Sequence, residues 1–160
     1  MQTVDTGYIP QGFGDSGGDL AWRIYPVEAL RSMVKECDFV VVTLPLTSKT
    51  RNLVNAEVFS SMKPSAYLVD VSRGGIVDQS ALIDALKDHK IAGAALDVFA
   101  KEPLPSDSPL WKMPNVIVTP HIAGVTPHYD ERAVDFFEEN LRRYLAKEPL
   151  LNNFQPELGY

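Results

Sequence analysis

The chain has 160 residues, 45% hydrophobic and 22% charged, with a net charge of −6. That composition suits one globular domain burying roughly 70% of the surface its unfolded chain exposes. The acidic balance and the absence of any Lys/Arg cluster argue against a nucleic-acid or anionic-membrane surface, and no apolar run approaches the ~18 residues of a membrane span.

No basic-then-apolar leader opens the chain, so a cytoplasmic protein is expected. The single cysteine, Cys37, cannot form an internal disulfide and reads as a small, semi-buried packing residue.

Met1–Val4 reads as the stub of a strand. Gly12, Gly14 and Gly17 match the G-x-G-x-x-G spacing of dinucleotide loops. That motif needs a strand before it and a helix behind it. Here Pro10 precedes it and the extended run Leu20–Tyr25 follows, so a flexible glycine loop is expected instead. Pro26 opens a helix over 27–34. Phe39–Thr43 is a β-branched run of the kind found in a strand covered on both faces, and Pro45 stops it. Asn55 caps a short helix through Met62, which Pro64 ends.

Ala66–Val71 is a second strand. Asp78 is the N-cap of a helix over Gln79–His89, with Leu82, Ala85 and Leu86 on its apolar face. Ala92–Val98 is the third strand. Lys101–Pro114, with four prolines, is an irregular loop or arm, and Val116–Thr119 is the fourth strand. Thr126-Pro127 starts the longest helix, to about Ala146. Its acidic first turn and basic last turn suit the helix dipole, and Ala133, Val134, Phe137, Leu141, Tyr144 and Leu145 form an apolar stripe. The alternation predicts an α/β fold, doubly wound around a mostly parallel sheet.

Arg73, Asp97 and His121 follow three of these strands at equal spacing. In a parallel sheet the residues just past the strand ends gather along one edge, where such folds bind small molecules. Taken singly, each has a plainer reading: a surface cation, a strand-end cap, a buried histidine. Glu102 taken alone is a solvated loop charge. His89 and His128 fall at helix ends and read as solvent-facing, and no histidine has metal-ligand spacing.

Three segments together resemble the D-isomer-specific 2-hydroxyacid dehydrogenases: Ser72-Arg73-Gly74-Gly75-Ile76-Val77-Asp78, Leu96-Asp97-Val98-Phe99-Ala100-Lys101-Glu102-Pro103, and Thr119-Pro120-His121-Ile122-Ala123-Gly124. Thr43-Leu44-Pro45-Leu46-Thr47 is similar to a fourth family motif, with Thr43 where other members often have His. The resemblance implies a Rossmann-like fold and NAD-dependent oxidation of small 2-hydroxyacids, or reduction of 2-ketoacids. Arg73, Glu102 and His121 are then the catalytic residues. Histidine, with an ordinary pKa of about 6.5, suits proton exchange with the substrate hydroxyl. Glu102 would favour the imidazolium and fix the ring tautomer, and the Arg73 guanidinium matches a carboxylate two-pronged.

By the same resemblance Asp97 accepts from the nicotinamide carboxamide. Leu44, Pro45, Val71, Ser72, Arg73, His121 and Gly124 are expected to line the cofactor, and Asp5 is the candidate ribose-binding acid that favours NAD over NADP. Asp70 stands where the family usually has Asn, and two outcomes are open: a pair with Arg73, or retained hydrogen bonds.

The family's substrate-domain half and first βα unit have no counterpart in the sequence. The expectation is therefore a partial NAD-binding domain over 1–147 and a tail over 148–160 that returns to a substrate domain. Impaired activity, an unpaired sheet edge and self-association, such as a homodimer, are expected with it. Two alternatives are a non-catalytic interaction module of the corepressor type on the same fold, and a different dehydrogenase with only local resemblance.

Overall fold

The computed structural model describes residues 14, 15, 18–154 and 156. Met1–Val4, Asp5 and all of the glycine motif except Gly14 and Asp15 lie outside the described residues. The described residues divide into two compact units, one holding 25–124 and the other those of 14–24 and 125–156.

The first unit is a four-stranded parallel sheet: β1 (Phe39–Val42), β2 (Tyr67–Asp70), β3 (Gly93–Leu96) and β4 (Val116–Val118), in spatial order β1-β2-β3-β4. All four predicted strands form, each shorter than its apolar run. The register places Val42 beside Asp70, Asp70 beside Leu96, and Leu96 beside Val118. The strands therefore end level. The next row is tied together as well, by Val71 N–H to Val42 O (3.2 Å), Asp97 N–H to Asp70 O (2.9 Å) and Thr119 N–H to Leu96 O (2.9 Å).

The connecting helices are α1 (Leu30–Val34, after a 3-10 turn at Val27–Ala29), α2 (Ala56–Phe59) and α3 (Gln79–Lys87). Asn55 caps α2 by accepting from the amides of Glu57 and Val58, and Asp78 caps α3 through Ser80 and Ala81. Leu82, Ala85 and Leu86 are the buried face of α3. They pack with Val34, Phe59, Val40, Val42, Leu68 and Leu96 in one core, where each fully buried aliphatic side chain contributes about 1.5–3 kcal/mol.

Two expectations are corrected. Phe39–Thr43 is not covered on both faces: Val40 and Val42 are buried, whereas Phe39 and Val41 are 67% and 58% exposed. Tyr67 and Ile117 are exposed on the same side of the sheet, and the Phe39 and Tyr67 rings stack there at 5.8 Å. A continuous β-branched run reports strand propensity and is silent about which helices lie above it. The proline-rich arm is also not wholly irregular. Pro109–Lys112 forms a 3-10 turn that buries Leu110, with proline in the first turn, where its missing N–H costs nothing.

In the second unit α4 (Tyr129–Ala146) carries Asp130 and Glu131 in its first turn and Arg143 in its last. Pairs Glu138–Arg142 (2.6 Å) and Glu139–Arg143 (2.7 Å) run along it. No residue of α4 is buried. Its apolar stripe exists but stands exposed, with Phe137 at 67% and Leu145 at 73%. The tail folds back on the same helix, where the Asn140 side chain pairs with the backbone N–H (2.8 Å) and C=O (3.4 Å) of Leu151. Among the described residues no helix is long and apolar enough to cross a membrane.

Candidate active site

The level strand ends bring the residues after β1, β2, β3 and β4 into adjoining rows, as the parallel topology dictates. After β2 the chain makes a tight loop. Asp70 is buried and its Oδ1 accepts from both the amide (3.1 Å) and the hydroxyl (2.5 Å) of Ser72. Burial pushes the Asp70 carboxyl above its usual value, and the two Ser72 bonds only partly oppose this. Of the two outcomes left open for this acid, the structure has the second: it keeps its hydrogen bonds and does not pair with Arg73.

Arg73 is exposed, and its Nη1 donates to Ser72 O at 2.7 Å. Among the described residues it has no carboxylate partner, which leaves the rest of the guanidinium fork for an anion. Gly74 lies against the backbone after β3: a Cβ there would overlap the Phe99 carbonyl oxygen and come within 2.6 Å of its carbon. The loop is strapped from behind by Asn52 N–H to Gly75 O (2.8 Å), Val54 N–H to Ile76 O (3.2 Å) and Asp78 N–H to Val54 O (3.0 Å).

After β3 and β4 stand the imidazole and two acids. His121 Nδ1 is 2.8 Å from Glu102 Oε2. Glu102 Oε1 accepts from the Phe99 amide at 3.0 Å. The His121 bond first, then the Phe99 amide, hold the Glu102 carboxyl below the usual range, so it is an acceptor only. Nδ1 therefore carries the ring proton, and Nε2 is left for a substrate.

Asp97 is 4% exposed. Its Oδ1 accepts from Thr119 Oγ1 (2.5 Å) and the Ile122 amide (2.9 Å), and its Oδ2 from the Ala123 amide (2.8 Å). Burial opposes its ionisation. Thr119 and the two amides outweigh that and hold its carboxyl below the ordinary value.

A cleft of about 740 Å³ is lined by Thr43, Leu44, Pro45, Val71, Ser72, Arg73, Glu102 and His121, together with Leu46, Gly74, Phe99 and Ala100. Seven of the ten predicted catalytic and cofactor residues (Leu44, Pro45, Val71, Ser72, Arg73, Glu102 and His121) thus line one cavity, of a size usual for cofactor sites. Asp97 does not line it, and is bound to the amides that follow His121. Gly124 stands in open space, with nothing within 4 Å of where a Cβ would be. The cleft lining mixes polar and charged groups (Ser72, Arg73, Glu102, His121) with apolar ones (Leu44, Pro45, Leu46, Phe99), a set of the kind that suits a nicotinamide.

Sequence reasoning missed the Phe99 amide, the Thr119 hydroxyl and the Gly74 contact. Only Thr119 left a signal, as a hydroxyl at a strand end beside a proline.

The model of the NAD-binding domain of D-isomer specific 2-hydroxyacid dehydrogenases matches residues 18–123. The chain belongs to that dehydrogenase family. Glyoxylate/hydroxypyruvate reductase B of Pectobacterium carotovorum is 44% identical over 131 residues, covering 81% of this chain and 40% of that protein. (S)-sulfolactate dehydrogenase of Chromohalobacter salexigens is 42% identical over 129 residues, 80% of this chain and 42% of its own length. This member thus spans about two fifths of the curated dehydrogenases it matches. Among solved structures, a D-isomer specific 2-hydroxyacid dehydrogenase from Xanthobacter autotrophicus, in complex with NADPH and MES, aligns with a TM-score of 0.77. It is 47% identical over 83% of this chain and 54% of that one. The family match spans the four strands and Arg73, Asp97, Glu102 and His121, and the parallel α/β fold is Rossmann-like.

Proposed function

We propose that this chain carries the acid–base and carboxylate-binding residues of a nicotinamide-dependent D-2-hydroxyacid dehydrogenase or 2-ketoacid reductase. The observation that carries the reading is the 2.8 Å His121–Glu102 pair on a cleft that also holds Arg73. His121 Nε2 gives a proton to the substrate carbonyl oxygen in reduction and takes it from the hydroxyl in oxidation. Glu102 holds the ring tautomer and favours the imidazolium, and the pair contributes about 10²–10⁴-fold. Arg73 binds the substrate carboxylate two-pronged and polarises the adjacent carbonyl.

A nicotinamide dinucleotide bound in the cleft supplies or accepts the hydride. Leu44, Pro45, Val71, Ser72 and Gly124 approach it, and the uncommitted lone pair of Asp97 Oδ2 receives its carboxamide. NAD follows from the reading of Asp5. Similarity to NADPH- and NADP-bound structures makes NADP the second reading. Glyoxylate and hydroxypyruvate are the substrates to try, by similarity to the reductases.

The test follows NADH and NADPH oxidation with each keto acid, and titrates each cofactor against the cleft amides by NMR. We expect shifts at Leu44, Val71 and Ser72, a raised KM for keto acid in Arg73→Gln, and turnover at least about 10²-fold lower in His121→Ala. Turnover unchanged in His121→Ala, or saturating cofactor that leaves those amides unmoved, sinks the reading.

A further inference from the structure

His121 has a φ of +56°, the left-handed region that a non-glycine residue keeps only where its surroundings over-determine it. One side chain ties both flanks of that turn. Asp97 accepts from Thr119 Oγ1, two positions before the histidine, and from the amides of Ile122 and Ala123 just behind it. Thr119 is held further by its own N–H on Leu96 O at 2.9 Å. Between these anchors lie only Pro120, whose ring fixes its φ, and His121. The turn closes by His121 going left-handed.

Glu102 hangs from the same short stretch, through the Phe99 amide at 3.0 Å. Both halves of the pair are therefore referenced to residues 97–99, at the exit of β3. Two of the three donors on Asp97 are backbone amides, one on each carboxylate oxygen, and neither can accept, a set that a carboxylate satisfies and a neutral amide does not. An Asn in its place would turn an NH₂ toward a backbone N–H.

We infer that Asp97 and Thr119 form a positioning clamp that holds His121 in its left-handed turn and so delivers Nδ1 to Glu102. This rests on the proposed role of the imidazole only for its effect on rate. The clamp is an addition to any contact of Asp97 with the cofactor, and it makes Thr119, which does not line the Arg73 cleft, a positioning residue. A plain strand-end cap would steady β3 and leave the histidine ring unaffected.

The test uses the whole chain with ¹⁵N-histidine, the His121 signals being assigned by their loss in His121→Gln. Ring nitrogen shifts of the neutral imidazole should report Nδ1–H in the wild type and in Thr119→Ser. They should lose that signature in Asp97→Asn and in Thr119→Val, while the amides of Leu68 and Leu82 keep their positions. Thr119→Val removes only the hydroxyl, so it answers even where Asp97→Asn does not fold. In turnover, kcat should fall about 10²-fold in Thr119→Val, the cost of a 1 Å misplacement, with KM for keto acid nearly unchanged and kcat recovered in Thr119→Ser. A retained Nδ1–H signature in Thr119→Val overturns the clamp whatever the turnover. An Nδ1–H signature present in a wild-type chain that shows no turnover, and lost in Thr119→Val, leaves the clamp standing and counts against the dehydrogenase reading alone.

Discussion

Replacing Gly74 with alanine tests the joint between the Arg73 loop and the strand exit that carries Glu102. The added Cβ would overlap the Phe99 carbonyl oxygen, with the carbonyl carbon at 2.6 Å and the Ala100 nitrogen at 3.4 Å. All three are backbone atoms, so no side chain can swing aside. Phe99 is itself buried at 6% exposure, and Gly75 is pinned by Asn52 at 2.8 Å. Relief requires moving one backbone segment off the other, which costs roughly 1–3 kcal/mol, as overpacking does. At about 2–4 °C per kcal/mol for a chain of this size, the melting temperature should fall by roughly 2–12 °C.

The same displacement carries the Phe99 amide away from Glu102, so the His121 and Arg73 resonances should shift with it. Gly124→Ala is the control. Nothing lies within 4 Å of the new Cβ, and the expected change runs from none to a gain of about 1 kcal/mol from the stiffer unfolded chain. Urea unfolding followed by far-ultraviolet circular dichroism gives both values. A Gly74→Ala midpoint equal to that of the wild type would refute the backbone-contact argument.

Asp70→Asn should stabilise the protein as pH rises. Burial raises the Asp70 carboxyl above 3.8, so between that value and its folded value the native state holds more protons than the unfolded chain, and stability falls with increasing pH. Asn keeps the acceptor for Ser72 and removes this slope. Asp97 and Glu102, both lowered, slope the opposite way and are common to both proteins, so the difference between the two isolates Asp70. Its advantage should be larger at pH 8 than at pH 4, and equal differences would contradict the burial argument. Leu68→Ala, at a fully buried position of β2, should cost about 2–5 kcal/mol in urea unfolding; a loss under about 1 kcal/mol would mean the sheet is not packed as described.

The local rules were legible in the chain itself. Asn55 and Asp78 announce two helix starts because an Asx side chain satisfies amides two and three residues on, a contact that needs no distant partner. The strand cores at 39–42, 67–70, 93–96 and 116–118 follow from β-branched and small apolar runs closed by Pro, Gly or charge. The gathering of Arg73 and His121 along one cleft followed from parallel strands sharing a direction, and the family motifs added Glu102 to them.

Three outcomes belonged to tertiary structure. The uncovered side of the sheet at Phe39, Val41 and Ile117 depends on where helices pack, which strand composition does not encode. The strap between 52–54 and 75–78 joins segments with no periodicity of their own. The engagement of Asp97 by Thr119, Ile122 and Ala123 joins residues more than 20 positions apart. By itself the sequence determined which residues are strand, helix and cap, because those preferences act over one to four residues. Which acid holds the imidazole loop was decided only when the β-ends lay side by side, because hydrogen bonds a few ångströms long select partners by position in space.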